Sequence, residues 1–477
     1  MKTTRLAIVL LVVLLCSGAE ALCAGDVCPG DGYEFLGTIQ SRHARDIESS
    51  NWSVGAETMD RDYTVYKHWR AYLGPLGVKR ARIQSGWAKT EKSRGEYDWE
   101  WTDEIIPDMA AQGVEPWVCL CYGNSIYPDG GGAGLGGKLP ASEEALEAWE
   151  QYVAAFVERY RKYVDEYEIW NEPNLRRKDV AGQYARFLIR TAQVIRARQP
   201  DATIIGISCP GVNSTFTDRV LSYLEQQDKL NLLDEVTYHP YRFNPDAVYD
   251  EVARLRKTIR KYSDRIAIRQ GENGAPSQRG SFGALSNHDW TERRQAKWAL
   301  RRLLGDLGRD ITSSYFAICD MHYPSRKNYK GLLATNPDQT VHHAKLGYRA
   351  VQHVTAVFDD TVDRIEDYPP EVSGTSDSLS VFGYRAETGG QIVTLWRDSA
   401  GPGQNSQVDR ITLTLPEGDF TDPVWVDMLS GEVYAIDEEL WDEQNGSFSF
   451  RSVPVYDSVI LIADREAIAL RSTPNHN

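Results

Sequence analysis

The sequence predicts an α/β protein with a (β/α)8 barrel followed by a small antiparallel β-sandwich. From residue 33 to about residue 358, short apolar runs alternate with stretches in which apolar residues recur about every 3.6 positions. Eight such units are the number that closes a parallel barrel, although a doubly wound open sheet is a competing architecture. After about residue 359 the helical period disappears, and short alternating strands separated by turn residues are typical of a sandwich. The chain of 477 residues is long enough for one large and one small domain.

The eight predicted barrel strands are short apolar runs bounded by turn residues. They span residues 34–39, 79–84, 114–120, 167–171, 202–208, 234–239, 265–271 and 313–319. Amphipathic helices are predicted between them at 102–113, 143–164, 180–199 and 293–307, with a closing helix at 340–358. We place the barrel at 30–358 and the sandwich at 359–470, because the apolar pattern and the composition change together across 358–374.

The N-terminus has the pattern of a secretory signal. Positively charged residues precede the apolar run 6–15, and "AEA" (19–21) provides a small-residue cleavage site after Ala21. Residues 1–21 are therefore predicted to be removed and the mature protein to be secreted, with a lipid anchor through Cys16 or Cys23 as the alternative. No later run reaches about 18 apolar residues, so no membrane span is expected.

Charge and cysteine usage exclude several classes of partner and cofactor. The net charge of −15 argues against a nucleic-acid partner. Cys23 and Cys28 are close enough in the chain for a small disulfide. The remaining cysteines of the mature chain have no zinc-site spacing and are expected to be buried as small apolar side chains; they are Cys119, Cys121, Cys209 and Cys319. The glycine-rich run 129–137 lacks the spacing of a dinucleotide site and is interpreted as a rim loop. We expect neither a metal ion nor an organic cofactor.

Residues at the C-terminal ends of the predicted strands carry most of the chemistry. In a (β/α)8 barrel the active site is built at this face. Taken strand by strand, the rim candidates are Arg82, Trp87, Tyr122, Asn124, Asn171, Glu172, His239, Tyr241, Glu272, Asn273, Asp320, His322 and Tyr323. Aromatic side chains among them, such as Trp87 and Tyr122, could stack on sugar rings or pack the top of the barrel.

Two glutamates in this set matter most for function. Glu172 and Glu272 end strands four and seven and are expected to face each other across the barrel mouth. Two carboxyl groups about 5–5.5 Å apart are what retaining glycoside hydrolysis requires: one donates a proton to the leaving oxygen and the other attacks the anomeric carbon. Their mutual repulsion and their surroundings would drive their pKa values apart. The sequence therefore predicts a glycosidase that cleaves a poly- or oligosaccharide by double displacement.

Four motifs resemble those of the retaining (β/α)8 glycoside hydrolases called clan A. They are "WNEP" (170–173), "HPY" (239–241), "GEN" (271–273) and "VKRARI" (78–83). The segment 85–106, with its W-x-x-x-E and G-x-Y-x-W patterns, looks nearest to glycoside hydrolase family 39, although families 5 and 30 use the same rim arrangement. The resemblance covers the barrel, and the predicted sandwich is similar to an accessory domain found in several of these families.

This resemblance implies a role for each residue at a matching position. Glu172 would be the general acid/base, and Glu272 would be the nucleophile. The substrate-binding set would comprise Asn171, His239, Tyr241 and Arg82, with the rim candidates Trp87, Tyr122 and Asn124 beside them. A catalytically silent carbohydrate-binding barrel and a transglycosylase on the same scaffold are the alternative functions.

Two basic clusters are predicted on the same face as the carboxylates. One follows strand four and the other follows strand eight; their members are Arg176, Arg177, Lys178, Arg326, Lys327 and Lys330. They are either ordinary solvated loops or a site for a uronic acid or sulfated sugar, since focused positive charge attracts anions. The carbohydrate substrate could therefore be acidic.

Overall fold

The structure, a computed structural model, describes residues 27–177 and 179–471. The predicted signal at 1–21, Cys23 and Lys178 lie outside the described residues. Cys28 is disulfide-bonded, and the four cysteines of the barrel are free and buried, as expected from the sequence. None of the helices in the described ranges is long and apolar enough to cross a membrane.

The predicted closed parallel barrel is confirmed, but its first strand is not the one that the sequence indicated. The first strand in the described residues, β1 (Tyr33–Ile39), lies outside the barrel. Eight strands close the barrel in chain order: β2 (Trp52–Gly55), β3 (Arg80–Gln84), β4 (Glu115–Leu120), β5 (Glu166–Ile169), β6 (Thr203–Pro210), β7 (Glu235–His239), β8 (Ala267–Asn273) and β9 (Thr312–Phe316). β2 pairs with β9, which completes the ring.

The assignment of residues 34–39 to the barrel was wrong. β1 pairs antiparallel with two C-terminal strands, β20 and β24, whose bounds follow below. The strand that occupies its expected place, β2, has only four residues, and its pattern is too short to distinguish from a loop. Because β2 takes the place predicted for residues 34–39, the barrel still has eight strands. Every later strand keeps its predicted position in the barrel.

Helices surround the barrel, with short turns between several elements. The helices are α1 (Tyr66–Trp69), α2 (Trp87–Thr90), α3 (Glu100–Ala111), α4 (Glu143–Tyr160), α5 (Ala181–Arg198), α6 (Ser214–Gln226), α7 (Tyr249–Ile259), α8 (Glu292–Leu307) and α9 (Leu346–Val357). The 3₁₀ turns are Ala44–Asp46, Met59–Arg61, Arg70–Tyr72, Gly74–Leu76, Leu230–Leu232, Glu438–Leu440 and Arg465–Ala467. Side-chain caps begin α4 and α8, where Ser142 and Thr291 accept hydrogen bonds from backbone N–H groups three residues on.

Two hairpins lie between the last barrel strand and α9. They pair β10 (Met321–Tyr323) with β11 (Arg326–Asn328), and β12 (Leu333–Thr335) with β13 (Val341–Ala344). The closing helix, predicted to begin at residue 340, therefore begins at Leu346, because the preceding residues pair with β12 instead. The hairpins place basic residues of this segment above the barrel mouth.

The C-terminal region forms two antiparallel sheets, as predicted. Its strands are β14 (Val362–Arg364), β15 (Glu371–Ser373), β16 (Leu379–Ala386), β17 (Gln391–Arg397), β18 (Asp409–Pro416), β19 (Pro423–Asp427), β20 (Glu432–Ile436), β21 (Trp441–Gln444), β22 (Ser447–Val455), β23 (Ile460–Asp464) and β24 (Leu470–Arg471). One sheet has the order β14-β16-β17-β23-β19-β20-β1-β24, and the other β15-β18-β22-β21.

The larger sheet is buried on both faces. In β19, Val424 and Val426 belong to the core that is continuous with the barrel, whereas Trp425 packs between the two sheets. Polar links reinforce this contact: the Lys297 ammonium on α8 lies 2.7 Å from the Asp457 carboxylate of the sandwich. The sandwich therefore braces the barrel through apolar packing and through this ion pair.

Candidate active site

A cavity of about 590 Å³ opens at the C-terminal face of the barrel. Each of the eight barrel strands, or the residues just past its end, contributes to the wall. In strand order these residues are Glu57, Gln84, Tyr122, Asn171 with Glu172, Pro210, His239 with Tyr241, Glu272, and Phe316. The cavity therefore lies where the fold rule for parallel barrels places an active site.

Glu172 lies on a turn with uncommon backbone geometry. β5 ends at Ile169, and both Trp170 and Glu172 then have positive φ angles, of 66° and 48°. The Glu172 backbone N–H donates to the Ser208 carbonyl on the neighbouring strand at 3.1 Å, which holds this turn against the barrel. Non-glycine residues with positive φ cost on the order of 1 kcal/mol or more and cluster at functional sites. The turn directs the Glu172 carboxylate into the cavity.

Glu272 lies at the end of β8 and is held by three neighbours. The Tyr241 hydroxyl donates to Oε1 at 2.8 Å, and Arg82 Nη1 donates to Oε2 at 3.0 Å. His239 Nδ1 lies 3.7 Å from Oε2. Burial alone would raise the pKa of Glu272, but His239, Arg82, Tyr241 and Lys330 outweigh it and hold that pKa below its ordinary value. Glu272 is therefore an ionised carboxylate at neutral pH.

Close packing explains the glycine that precedes Glu272. A Cβ on Gly271 would lie 2.1 Å from the Thr237 hydroxyl oxygen on the neighbouring strand. A larger residue would push β8 away from β7 and move the carboxylate. The "GEN" motif thus has a steric reason for its first residue.

The two carboxylates lie close together, with His239 between them. One oxygen of Glu172, one oxygen of Glu272 and a ring nitrogen of His239 all lie within 4.8 Å of one another. His239 Nδ1 is 3.1 Å from Glu172 Oε1. Burial would lower the pKa of His239, but the charges of Glu272 and Glu172 outweigh it and hold this pKa above its ordinary value. A protonated imidazole between the carboxylates offsets their mutual repulsion.

These three side chains are also the one group in the described ranges with the donor atoms and spacing to hold a metal ion. The oxygens of Glu272 already accept hydrogen bonds from Tyr241 and Arg82, and Glu172 is in contact with His239. Lone pairs that accept these bonds are less available to a cation, and the raised pKa of His239 favours a form that binds no metal. The arrangement fits acid–base and nucleophilic chemistry better than metal binding.

Arg82 and Asn171 form the layer beneath the carboxylates. Arg82 is fully buried, and its Nη2 donates to Asn171 Oδ1 at 2.9 Å. The Asn171 amide in turn donates to the Tyr122 hydroxyl oxygen at 2.8 Å. Asn171 and Tyr122 line the cavity, whereas Arg82 does not line it and contacts three residues that do, Glu57, Asn171 and Glu272. The structure thus brings together most of the predicted residues: Glu172, Glu272, Asn171, His239, Tyr241, Arg82 and Tyr122.

Two predicted substrate-binding residues do not line the cavity. Trp87 begins α2, where the chain has already turned away from the barrel, and its buried ring packs on Tyr127 with centroids 5.6 Å apart. The Asn124 amide donates to the Glu91 carbonyl at 2.8 Å, and Asn124 shapes a turn of the loop. Both side chains support the rim from outside this cavity, unlike most other members of the predicted substrate-binding set.

Several cavity residues were missed at the level of sequence. Glu57 follows β2, and its position on the rim was missed because that strand was not recognised. Gln84 ends β3, and Arg61 packs its guanidinium 4.9 Å from the centre of the Tyr122 ring. The basic clusters were placed on the correct face: Arg176, Arg326 and Lys330 all line the cavity. A search for charged residues after "WSVG" (52–55) would have found Glu57 and Arg61.

Lys330 stands out among the basic residues because it is buried. Its side chain lines the cavity with 1% exposure, and its ammonium donates to the Phe282 carbonyl at 3.2 Å. Burial lowers the pKa of Lys330 to about 7, although the charge of Glu272 opposes this shift. A buried ammonium at the cavity wall is a strong potential partner for an anion.

Comparison with known proteins points to the same fold. No protein-family model and no curated protein matches this sequence. Among solved structures, a family 39 glycoside hydrolase from the gut symbiont Bacteroides cellulosilyticus WH2 is similar, with a TM-score of 0.60 and 18% identity over 87% of this chain and 81% of that one. A monomeric β-xylosidase from Caulobacter crescentus CB15 has a TM-score of 0.57 and 16% identity over 90% and 97% of the two chains.

A third similar structure is the catalytic domain of the family 30 xylanase C from Talaromyces cellulolyticus. Its TM-score is 0.56, with 14% identity over 90% of this chain and 98% of that chain. Each match spans the barrel and most of the C-terminal sheets, because about nine-tenths of this chain is covered in each case. The chain thus has the barrel-and-sandwich fold of family 39 and family 30 glycoside hydrolases.

Proposed function

We propose that this protein is a retaining O-glycoside hydrolase that cleaves a poly- or oligosaccharide by double displacement. The observation that carries the proposal is the pair of carboxylates, Glu172 and Glu272, with oxygens within 4.8 Å of each other at the barrel mouth. Retaining enzymes place the two carboxyl groups about 5–5.5 Å apart, whereas inverting enzymes need about 6.5–9.5 Å to admit a water molecule. The short separation favours direct attack by one carboxylate.

In the first step Glu272 attacks the anomeric carbon. Its carboxylate is ionised and held by Tyr241 and Arg82, so the attacking oxygen is already oriented. Glu172 gives its proton to the departing glycosidic oxygen, and a covalent glycosyl-enzyme forms. Asn171 lines the same cavity as both carboxylates, where its amide can bind a sugar hydroxyl next to the reacting carbon.

In the second step water replaces the departed group. Glu172, now ionised, removes a proton from this water, which attacks the anomeric carbon and restores Glu272. Two inversions give net retention of configuration. The first-formed sugar anomer, followed by NMR during early turnover, should therefore match the anomer of the substrate.

Variants of the two glutamates test these roles on a panel of aryl glycosides. Glu272→Gln should lose activity on the order of 10⁴-fold or more, because the nucleophile is gone. Glu172→Ala should lose about 10²–10⁴-fold on poor leaving groups. Azide should restore turnover of the Ala variant on activated substrates, because it reacts with the glycosyl-enzyme without needing a base.

Glu235→Gln is the matched control. Glu235 begins β7 at the opposite end of the barrel, where its carboxylate accepts from Arg269 at 2.8 Å. Its replacement should leave turnover within a few-fold of wild type. If Glu272→Gln or Glu172→Ala kept near wild-type activity, the corresponding assignment would be wrong, and a protein that turned over no member of the panel would be a binding module instead.

We further propose that the substrate carries negative charge, as a uronic acid or a sulfated sugar does. The support is the set of cations that line the cavity of a chain with net charge −15, namely Arg61, Arg176, Arg242, Arg326 and Lys330. Arg61 and Arg242 contact acidic side chains, whereas Lys330 contacts a backbone carbonyl and is free to approach an anion. Focused positive charge raises the local concentration of anions.

The comparison of neutral and acidic glycosides at rising salt tests this substrate class. Acidic substrates should have the higher kcat/KM, and the advantage should shrink as salt screens the charges. Lys330→Met should reduce the advantage of acidic substrates further than Lys327→Met, since Lys327 lies in β11, just before Lys330, but does not line the cavity. Equal turnover of neutral substrates with no effect of salt would contradict the proposal.

We also propose that the protein is exported and cleaved after Ala21. The support is the N-terminal pattern of positive charge, apolar run and small residues. Mass spectrometry of the secreted protein should find an N-terminus at Leu22, and retention of the full chain inside the cell would contradict the proposal.

A further inference from the structure

A third glutamate lies in the wall of the cavity and is not used by double displacement. Glu57 follows β2, and its side chain is 2% exposed while still contributing to the cavity wall. Gln84 Nε2 donates weakly to Glu57 Oε2, at 3.4 Å. Its stronger contact is with Arg82, whose Nη1 donates to Glu57 Oε1 at 2.6 Å.

The same guanidinium nitrogen also holds the proposed nucleophile. Arg82 Nη1 bonds both Glu57 Oε1, at 2.6 Å, and Glu272 Oε2, at 3.0 Å. The other two nitrogens are engaged with Glu168, at 2.6 and 2.8 Å, and Nη2 also with Asn171. Three buried glutamates therefore converge on one arginine.

This geometry cannot carry three full negative charges at low cost. One arginine offsets one carboxylate, and each further buried charge would cost several kcal/mol unless it is paired or neutralised. Glu168 has the two-pronged bond to Arg82, and Glu272 has Tyr241 and His239 as additional partners. Glu57 has the fewest partners for a charge.

The direction of the pKa shifts agrees with this geometry. Burial raises the pKa of Glu57 to about 8; Arg82 opposes the rise, and the charges of Glu272 and Glu168 add to it. Glu272, by contrast, is held below its ordinary pKa. The charge of Glu57 also acts on Arg82 and on two phenols, those of Tyr241 and Tyr323, whose pKa values it raises.

We propose that Glu57 is a positioning residue of this site: in its uncharged form it shares Arg82 with Glu272 and leaves the charge of the arginine to the nucleophile. This inference rests on the proposed function. An uncharged carboxyl group accepts the bond from Nη1 without competing electrostatically for it. An ionised Glu57 would draw Nη1 away from Glu272 and loosen the attacking oxygen. Glu57 therefore sets an upper pH limit for the ordered nucleophile.

The unfolding equilibrium in urea provides a test that needs no substrate. Wild type and Glu57→Gln are compared from pH 5 to pH 8.5. A carboxyl group whose pKa is raised in the folded state stabilises the fold at low pH, and this stabilisation is lost as pH rises to the folded-state pKa. The ratio of the unfolding constants, wild type over Glu57→Gln, should therefore rise by about tenfold for each pH unit between pH 5 and 8.

Glu166→Gln is the matched control for this series. Glu166 is a mostly buried glutamate at the opposite end of the same barrel, where Arg80 and Arg269 contact its carboxylate. Burial would raise its pKa, but Arg269 and Arg80 outweigh it and hold that pKa below its ordinary value. Its carboxylate is ionised in both states above pH 5, so the corresponding ratio should stay constant.

Kinetics test the positioning role itself. With 2,4-dinitrophenyl glycosides the leaving group departs without a proton, so the protonation of Glu172 sets no alkaline limit on the first step. Wild-type kcat/KM, which reports the first step, should then fall above about pH 8, while Glu57→Gln, whose amide oxygen still accepts from Arg82, should keep its kcat/KM at that pH. The Glu57→Ala variant should lose kcat/KM at all pH values, with partial recovery in Glu57→Gln.

Two results would overturn the inference. One is a ratio of unfolding constants that is flat with pH, as in the Glu166→Gln control, which would mean that Glu57 is ionised in the folded protein. The other is an alkaline limit of kcat/KM that is the same in wild type and Glu57→Gln. A protein that turns over no glycoside would overturn the proposed function instead, and the unfolding series would still decide the charge of Glu57.

Discussion

Replacing Lys345 with Met should destabilise the barrel by several kcal/mol, because it strands a buried carboxylate. Lys345 and Asp320 are 1% and 2% exposed, and the ammonium lies 2.6 Å from the Asp320 carboxylate. The same ammonium donates to the Ser277 hydroxyl and the Gly331 carbonyl, each at 2.8 Å. These bonds fasten the segment after β9, which carries Lys330, to the rest of the barrel.

The size of the effect follows from the burial. Removing one partner of a buried ion pair costs about 3–5 kcal/mol. The Lys327 ammonium, 3.7 Å from Asp320 Oδ2, would offset only part of the Asp320 charge because of this longer distance. At about 2.1 cal/mol/K per residue, a barrel of roughly 300 residues has an unfolding entropy near 0.6 kcal/mol/K. The expected loss therefore corresponds to a fall in Tm of about 5–8 °C, measurable by calorimetry.

Two further variants separate this mechanism from a general effect of losing a lysine. Lys261 pairs with Asp218 at 3.1 Å on the surface, where both side chains are well exposed, so Lys261→Met should cost less than about 1 kcal/mol. The double variant Lys345→Met, Asp320→Asn removes both charges and should recover much of the loss. If the double variant were less stable than the single one by a further several kcal/mol, the reasoning from the stranded charge would be refuted.

Two other predictions concern the residues around the cavity. Trp87→Phe should lower the free energy of unfolding by about 1–3 kcal/mol, because a large buried ring is lost, and should leave KM within about twofold of wild type, because the side chain does not line the cavity. Tyr122→Ala, which opens the cavity wall, should raise KM, and a larger KM change for Trp87→Phe than for Tyr122→Ala would contradict this placement. The imidazole of His239 should titrate above pH 6.5, because the carboxylates of Glu272 and Glu172 stabilise its charged form against the opposing effect of burial. NMR of the ring protons, assigned with a His239→Gln variant, measures this directly, and a midpoint at or below 6.5 would disprove it.

The barrel could be predicted from the sequence because most of its strands and helices are long and regular. β4 and α4, for example, show clear apolar patterns, and the rim positions of Glu172 and Glu272 follow from counting strands. β1 and β2 show where such reasoning stops. A seven-residue strand carries a better strand pattern than a four-residue one, although the shorter strand belongs to the barrel. The apolar pattern of a strand indicates its burial and its propensity to form a strand, but it does not indicate which other strand it pairs with.

The residues of the candidate site also fall into those that the sequence could place and those that it could not. Residues directly at strand ends, such as His239 and Glu272, could be placed because the strand fixes their direction. Trp87 and Asn124 could not, because each follows a turn whose direction depends on tertiary contacts. The rim position of Glu57 could be predicted only after β2 had been recognised as a barrel strand. The charge relations around Arg82 were beyond prediction, since they arise from strands far apart in the chain.

The pairing of β1 has a consequence for how this chain folds during synthesis and for how it can be cut into fragments. β1 lies between β20 and β24, so the first and last described strands of the molecule are neighbours in one sheet. During synthesis β1 has no partner until nearly the whole chain has left the ribosome, whereas the barrel strands can pair earlier. A C-terminal piece expressed alone would lack this strand and would present the unpaired edge of β20 to other molecules. The first and last described strands thus hold each other in one sheet, and a sandwich fragment that is to fold by itself would have to include β1.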